Sequence, residues 1–145
     1  MTYELPVQAI DYLLYNYVYL RKEVELLGAQ QSGVVKIPPR GTRRGSPVEV
    51  IAIERAELTM VLDAVDRAWQ SLTPELRQIA RAKYRRGMKN IEIQKRYYLS
   101  KSTLDRKLGC IRATVAGYLA LVPEAILRRF WGENEARFEE LVRRR

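Results

Sequence analysis

The sequence predicts an all-α protein, a helical bundle with an N-terminal amphipathic helix joined to the rest by a flexible linker. Three observations support this class. Apolar residues recur at three- and four-residue steps over most of the chain, which is the period of a helix. Residues that start or stop helices bound these stretches, and no convincing strand pattern is present. With 145 residues, of which 47% are hydrophobic, the chain can bury a core.

The first helix is expected within residues 1–28. Leu13, Tyr17 and Val24 follow the helical period, and Gly28 is the expected stop. Five of the nine tyrosines lie within the first nineteen residues of the chain. We expect this tyrosine-rich face to serve for packing or for contact between two copies of the chain.

A linker and a long helix are expected next. Residues 29–46 combine glycines, adjacent prolines and basic side chains, a composition that breaks both helices and strands. Ser46 then resembles an N-cap and Pro47 a first helical residue. They predict a long connecting helix over residues 47–71, in which Trp69 is the expected core anchor.

A third helix is expected from Pro74 to about Arg86. Thr73 can cap it, proline presets its first turn, and Glu75 suits the positive end of the helix dipole. Gly87 is the expected C-terminal stop, because glycine readily takes the left-handed conformation that ends many helices.

Two further helices are expected close together. The first is short and is expected to be capped by Asn90, whereas the second follows Ser100 as its cap and continues to about Leu119. Two helices joined by three or four residues have the spacing of a helix-turn-helix. We therefore predict a helix-turn-helix domain over residues 72–120. The apolar side chains expected to hold the motif together are Ile93, Tyr97, Leu99, Leu104 and Leu108.

The remaining residues, 121–145, are expected to form C-terminal helices that begin at Pro123. Trp131 and Phe138 are expected to close the core or to form an oligomer face. Cys110 is the single cysteine of the chain, and we expect it to be buried or half-buried without a redox role.

The net charge of the chain, +9, is concentrated in one segment. Residues 81–112 contain eleven Lys or Arg against two acids, Glu92 and Asp105, so this segment alone accounts for the whole net charge. A local excess of this kind is typical of proteins that bind a polyanion. Because the segment coincides with the predicted helix-turn-helix, the expected partner is double-stranded DNA.

The second helix of this motif enters the major groove with its N-terminal residues. Arg and Lys can donate to guanine O6 and N7, and Ser and Thr can contact base edges or phosphates. The residues expected to read bases are Lys101, Ser102, Thr103, Asp105 and Arg106. The residues expected to bind phosphates, which add affinity without sequence information, are Lys89, Asn90, Lys95, Arg96, Ser100, Lys107 and Arg112.

Residues 72–111 resemble region four of bacterial sigma factors. The resemblance rests on the stretches Leu72-Thr73-Pro74-Glu75, Glu92-Ile93 and Leu99-Ser100-Lys101-Ser102-Thr103-Leu104. The order of a tyrosine-bearing helix, a linker, a long helix and this motif is similar to that of RinA and ArpU-like phage transcriptional regulators. The resemblance implies a phage or prophage regulator, in keeping with an activator, that acts in the bacterial host cytoplasm and touches RNA polymerase.

Two residues depart from the pattern of these families. Gln94 stands where alanine is usual, because close packing there favours a small side chain. Tyr98 stands where glycine is usual, because that residue of the turn has a positive φ. A non-glycine residue in this conformation costs about 1 kcal/mol, so the turn must tolerate larger residues than the motif prefers.

The composition also argues against several other classes of protein. The chain has no histidine and one cysteine, which removes the commonest general base and most transition-metal sites. We therefore expect no enzyme activity, no cofactor and no metal ion. No apolar run approaches the length of a membrane span, so no membrane partner is expected.

A homo-oligomer is expected, with a dimer favoured. Two alternative functions stay open from the sequence. One is the small terminase subunit of a phage DNA-packaging machine, which also combines a helix-turn-helix with oligomerising helices and would form a ring of many subunits. The other is a helical protein-interaction module that has no nucleic-acid partner.

Overall fold

The computed structural model describes residues 5–32 and 47–132, and over these residues the protein is all-α, as predicted. The helices are α1 (Val7–Ser32), α2 (Pro47–Ser71), α3 (Pro74–Ala80), α4 (Asn90–Tyr97) and α5 (Lys101–Leu119), and a π-helical turn, Arg81–Arg85, lies between α3 and α4. Residues 124–132 are also helical and are called α6 below. The described residues contain no strand.

One hydrophobic core joins all of these helices. Helix α1 lies along α2 and also contacts α5. Fully buried side chains come from α1 through α6, among them Leu13, Leu62, Ile79, Ile93, Leu104, Ile111 and Leu127. Helix α1 is therefore part of the bundle, because its apolar face forms part of the same core. The predicted linker, apart from the last turn of α1, lies outside the described residues.

Polar contacts fix α1 against α2 at the edge of this core. Arg21 Nη2 lies 2.8 Å from Asp63 Oδ1, and Arg21 Nε donates to the Tyr17 hydroxyl at 2.9 Å. The same hydroxyl donates to Asp66 Oδ1 at 3.5 Å. These contacts join residues more than forty positions apart in sequence and tie α1 to α2.

Gly28 does not end α1, which continues to Ser32. A Cβ atom at Gly28 would lie 3.0 Å from the guanidinium carbon of Arg55, so the missing side chain makes room for an α2 residue. Glycine inside a helix costs about 1 kcal/mol relative to alanine. The helix therefore continues through this position, and the glycine serves packing rather than termination.

The predicted helix from Pro74 to Arg86 is divided into two parts. Thr73 caps α3 as expected, its hydroxyl accepting from the Leu76 N–H at 3.3 Å. The wider π turn follows, with the Arg86 N–H donating to the Arg81 carbonyl at 3.0 Å. Gly87 ends the segment with φ +66°, as predicted.

The π turn places Arg85 between two aromatic rings. Its guanidinium carbon lies 4.7 Å from the ring centre of Tyr17 and 4.8 Å from that of Trp69. Trp69, the expected core anchor, is half-buried at the edge of the core. Desolvation by burial lowers the pKa of Arg85. This arginine thus connects the turn to both α1 and α2.

Helix α6 closes one end of the bundle. Leu127 and Phe130 are buried, and the Phe130 ring lies 6.2 Å from that of Tyr12. Trp131 is half-buried, while Phe138 and the rest of the C-terminal segment lie outside the described residues. None of the helices in the described ranges combines the length and the apolar character needed to cross a membrane.

Candidate nucleic-acid interface

The turn between α4 and α5 has the conformation that the motif requires. Tyr98 has φ 54° and ψ 48°, in the left-handed region, which confirms the positive φ expected there. The N–H groups of Tyr98 and Leu99 both donate to the Gln94 carbonyl, the latter at 2.9 Å. These bonds satisfy the end of α4. Tyr98 itself is 94% exposed, so its side chain gains no packing in return for the strained backbone.

Ser100 begins α5, as predicted. Its hydroxyl oxygen accepts from the Thr103 N–H at 3.2 Å and donates to the Thr103 hydroxyl at 2.8 Å. These bonds satisfy one of the open donors of the helix. Ser100, expected to bind phosphate, and Thr103, expected to read bases, are thus hydrogen-bonded to each other, and Thr103 is half-buried.

Apolar contacts hold α4 and α5 together in the predicted way. Ile93 and Leu104 are completely buried, and Leu108 is 2% exposed. Tyr97 and Leu99 are half-buried and pack against the same core. All five side chains expected to build the motif therefore face inward. The opposite face of α5 consequently points to solvent.

The start of α4 differs from the prediction. Lys89 is the N-cap residue and makes no side-chain cap, while Asn90 is the first helical residue. The Asn90 side chain is used differently, because its Oδ1 atom accepts from Lys83 Nζ at 2.7 Å. The expected cap at Asn90 is therefore wrong, and its amide joins α4 to the π turn.

The first two turns of α5 present polar side chains to solvent. Lys101, Ser102, Asp105 and Arg106 are exposed. Ser102 and Arg106 are four residues apart and so share one side of the helix, opposite the buried Leu104. Neither Lys101 nor Arg106 forms an ion pair with another described residue.

Further cations lie on and beside α4. Lys89, Lys95 and Arg96 are exposed, and within the described part of the chain none of them has an acidic partner. The Arg96 guanidinium lies 6.0 Å from the ring centre of Tyr97. Their role as phosphate contacts stays a prediction.

Two other predicted phosphate contacts lie in ion pairs within the chain. Lys107 Nζ is 2.6 Å from Glu75 Oε1, which ties α5 to α3. Arg112 Nε is 3.0 Å from Asp11 Oδ1, and its Nη2 is 3.3 Å from Asp11 Oδ2. Because a phosphate would have to displace a carboxylate already bound there, the structure assigns both side chains to holding helices together.

No sequence pattern indicated the network around Asp11. Tyr84 donates its hydroxyl to Asp11 Oδ1 at 2.9 Å, on the oxygen that also accepts from Arg112. Burial, and then the negative charge of Asp11, raise the pKa of Tyr84. Burial alone would lower the pKa of Arg112. Its hydrogen bond to Asp11 raises the pKa by more, so the pKa of the guanidinium is raised overall. The three residues join α1, the π turn and α5.

The same charged segment holds four cations for which no role was predicted, namely Arg81, Lys83, Arg85 and Arg86. Arg81 and Arg86 are exposed, and no acid among the described residues pairs with either. Only the charge count had included them. Cys110 is exposed, so the expectation of a buried thiol is wrong. The described ranges contain no cluster of side chains suited to a metal ion.

No protein-family model, curated protein or solved structure matches this chain. The likeness to sigma region four and to the RinA and ArpU-like regulators therefore stays a prediction that rests on the residues quoted for it.

Proposed function

We propose that this protein is a sequence-specific double-stranded DNA-binding transcriptional regulator that reads the major groove with the first turns of α5. By its resemblance it is encoded by a phage or prophage and acts in the cytoplasm of the bacterial host. It needs no cofactor and performs no catalysis in this role. The observation on which the proposal rests is the separation of cations into paired and unpaired sets.

The unpaired set surrounds the start of α5. Lys101 and Arg106 on α5, and Lys89, Lys95 and Arg96 beside it, are exposed and lack acidic partners among the described residues. Exposed cations without partners add to the field that attracts a polyanion. In contrast, Lys107 and Arg112 pair with carboxylates of the bundle. The first turns of α5 and the cations beside them therefore keep charge that is available to a partner.

The residue types on this face suit direct reading of bases. Arg106 can donate two hydrogen bonds to guanine O6 and N7, and Asp105 can accept from cytosine N4. Ser102 can bind either kind of edge, while Lys101 adds a flexible donor at the end of the helix. The positive end of the α5 dipole favours a phosphate nearby. Affinity for any duplex and preference for one sequence thus come from neighbouring residues.

Contact with RNA polymerase is part of the same proposal and comes from the resemblance to sigma region four alone. It concerns the regulator once it is bound to DNA. Duplex binding is therefore tested first, because it does not depend on the polymerase.

Selection of bound fragments from a random duplex library, followed by fluorescence anisotropy, tests the proposal. Arg106→Ala should weaken binding to the selected sequence by about 10- to 100-fold, since a bidentate base contact contributes about 1–3 kcal/mol of discrimination. Its binding to a scrambled duplex should change much less. Arg67→Ala is the matched control, because Arg67 is also exposed but lies with Tyr118 and Leu121 at the far end of α5.

Recovery of one preferred sequence that depends on Arg106 and not on Arg67 supports the proposal. Equal affinity for selected and scrambled duplexes would contradict sequence-specific reading. Absence of duplex binding at low salt would contradict the whole proposal and favour a helical module that binds another protein.

A further inference from the structure

An apolar groove lies on the opposite half of α5 from the reading residues. Its floor is the C-terminal half of that helix, one wall is the start of α1, and α6 closes the other side. Leu5, Val7 and Leu127 line the walls, and the groove encloses about 590 Å³. Val7 is 55% exposed, so the groove is open to solvent and a large apolar side chain lies at its edge.

The exposed positions of this half of α5 hold small, uncharged residues. Every exposed position from the middle of the helix to its C-cap is of this kind: Gly109, Cys110, Ala113, Ala116, Gly117 and Ala120. The exposed positions of the first two turns, in contrast, are polar or charged. One helix therefore has two different outer surfaces, and only the first suits DNA, because phosphates require donors.

Packing among the described residues does not require the two glycines of this face. A Cβ atom at Gly109 or Gly117 would meet no atom of the described part of the chain within 4 Å. Glycine in a helix interior is less favourable than alanine, so packing and helix stability both allow a larger residue. Glycine also permits close approach of another backbone. This face therefore leaves room for the close approach of another helix.

We propose that a second copy of this chain occupies the groove and that the two copies pack along the C-terminal halves of their α5 helices. Each copy carries a net charge of +9, so like charges oppose association over most of the helix-turn-helix. This face has no charged side chain at its exposed positions, and the charge of Arg112, which lines the groove, is paired with that of Asp11. Two equally charged copies can therefore meet there. A two-fold contact of a surface with itself is the commonest form of oligomer.

The position of the face agrees with binding to two DNA half-sites, an agreement that rests on the proposed function. Its centre, near Thr114, is eleven residues from Thr103, or about 16 Å at 1.5 Å per residue. Antiparallel packing would separate the two reading ends by about 33 Å. One turn of duplex is about 34–36 Å. The dimer therefore predicts a palindromic site whose half-sites are one helical turn apart.

Sedimentation equilibrium of the full chain without DNA tests this interface. The wild type should be a dimer, and Ala116→Arg should raise the dimer dissociation constant at least about tenfold, because two added charges meet across a two-fold contact. Ala113→Gln adds bulk without charge and should act in the same direction. Ala56→Arg is the matched control, since Ala56 is exposed on α2, away from the groove. Circular dichroism checks that each variant folds.

Each outcome decides one of the two proposals. A wild-type dimer split by both groove variants and not by the control supports the interface, whether or not the chain binds DNA. A wild-type monomer, a dimer unaffected by the groove variants, or a ring of eight or more copies would overturn it. Selection of a single half-site by a monomer would overturn the interface and leave the proposed function standing. A dimer split as expected that binds no duplex would leave the interface standing and contradict the proposed function.

Discussion

The outer and inner surfaces of the helix-turn-helix use the same basic residue types in opposite ways. On the outer surface, Lys101 and Arg106 extend into solvent without an ion-pair partner among the described residues. On the inner surface, Lys107 and Arg112 lie on the same helix but pair with Glu75 and Asp11. A concentration of positive charge in a sequence therefore marks a region, while the three-dimensional partners decide which cations remain available to a ligand.

The inner region should be sensitive to loss of a single carboxylate. Asp11→Ala leaves Arg112 and the Tyr84 hydroxyl without their acceptor. Breaking a fully buried ion pair costs about 3–5 kcal/mol. The side chains of Asp11 and Arg112 are 20% and 30% exposed, so water screens part of this loss. We therefore expect Asp11→Ala to lower the free energy of unfolding, measured by urea denaturation, by about 2 kcal/mol.

Asp105→Ala is the control from the outer region. Asp105 is exposed and forms no ion pair with a described residue, so its loss should change the free energy of unfolding by less than about 0.5 kcal/mol. Equal effects of the two substitutions would remove the distinction between the regions.

The inner region should also lose stability in alkaline solution. The pKa of Tyr84 is raised in the folded protein, so the folded state keeps a proton that the unfolded state releases above its ordinary pKa of about 10. The stabilisation is fully present below that pH and is lost as the pH rises further, by at most about 1.4 kcal/mol per pH unit from this one group.

Urea denaturation of wild type and Tyr84→Phe between pH 9 and 11 measures this contribution. The variant should lose stability less steeply than the wild type as the pH rises. Parallel curves for wild type and Tyr84→Phe would be inconsistent with the network around Asp11.

A smaller effect is expected at the turn, where the outer region contains strain. Tyr98→Gly should raise the free energy of unfolding by up to about 1 kcal/mol, because glycine adopts φ 54° without a Cβ penalty. The gain is reduced by the greater freedom of glycine in the unfolded chain. A loss of stability would show that the exposed ring makes a contact that outweighs the backbone strain.

Local rules predicted much of the fold. Pro47 and Ser71 bound α2 as expected, Thr73 and Ser100 cap their helices, and Tyr98 takes the positive φ that the motif requires. Each of these features depends on residues within one or two turns. They can be predicted because capping and backbone preferences act over that distance.

Features that depend on distant partners could not be predicted in this way. Gly28 looked like a stop because the position of Arg55 was unknown. Arg112 looked like a phosphate contact because Asp11 lies 101 residues away in sequence. The same limit applies to Lys107 and Glu75. The candidate site was thus predicted as a face and a set of residue types, but its division into paired and unpaired cations required the fold.

The salt dependence of duplex binding tests this division most directly. The slope of log K against log salt measures how many counterions the protein releases, at about 0.9 for each phosphate contact. Lys95→Ala should reduce that slope by about 0.9, because the exposed Lys95 is proposed to bind phosphate. Lys107→Ala removes the same charge from the inner surface and should leave the slope unchanged. The account is contradicted if the two substitutions reduce the slope equally, or if only Lys107→Ala does so.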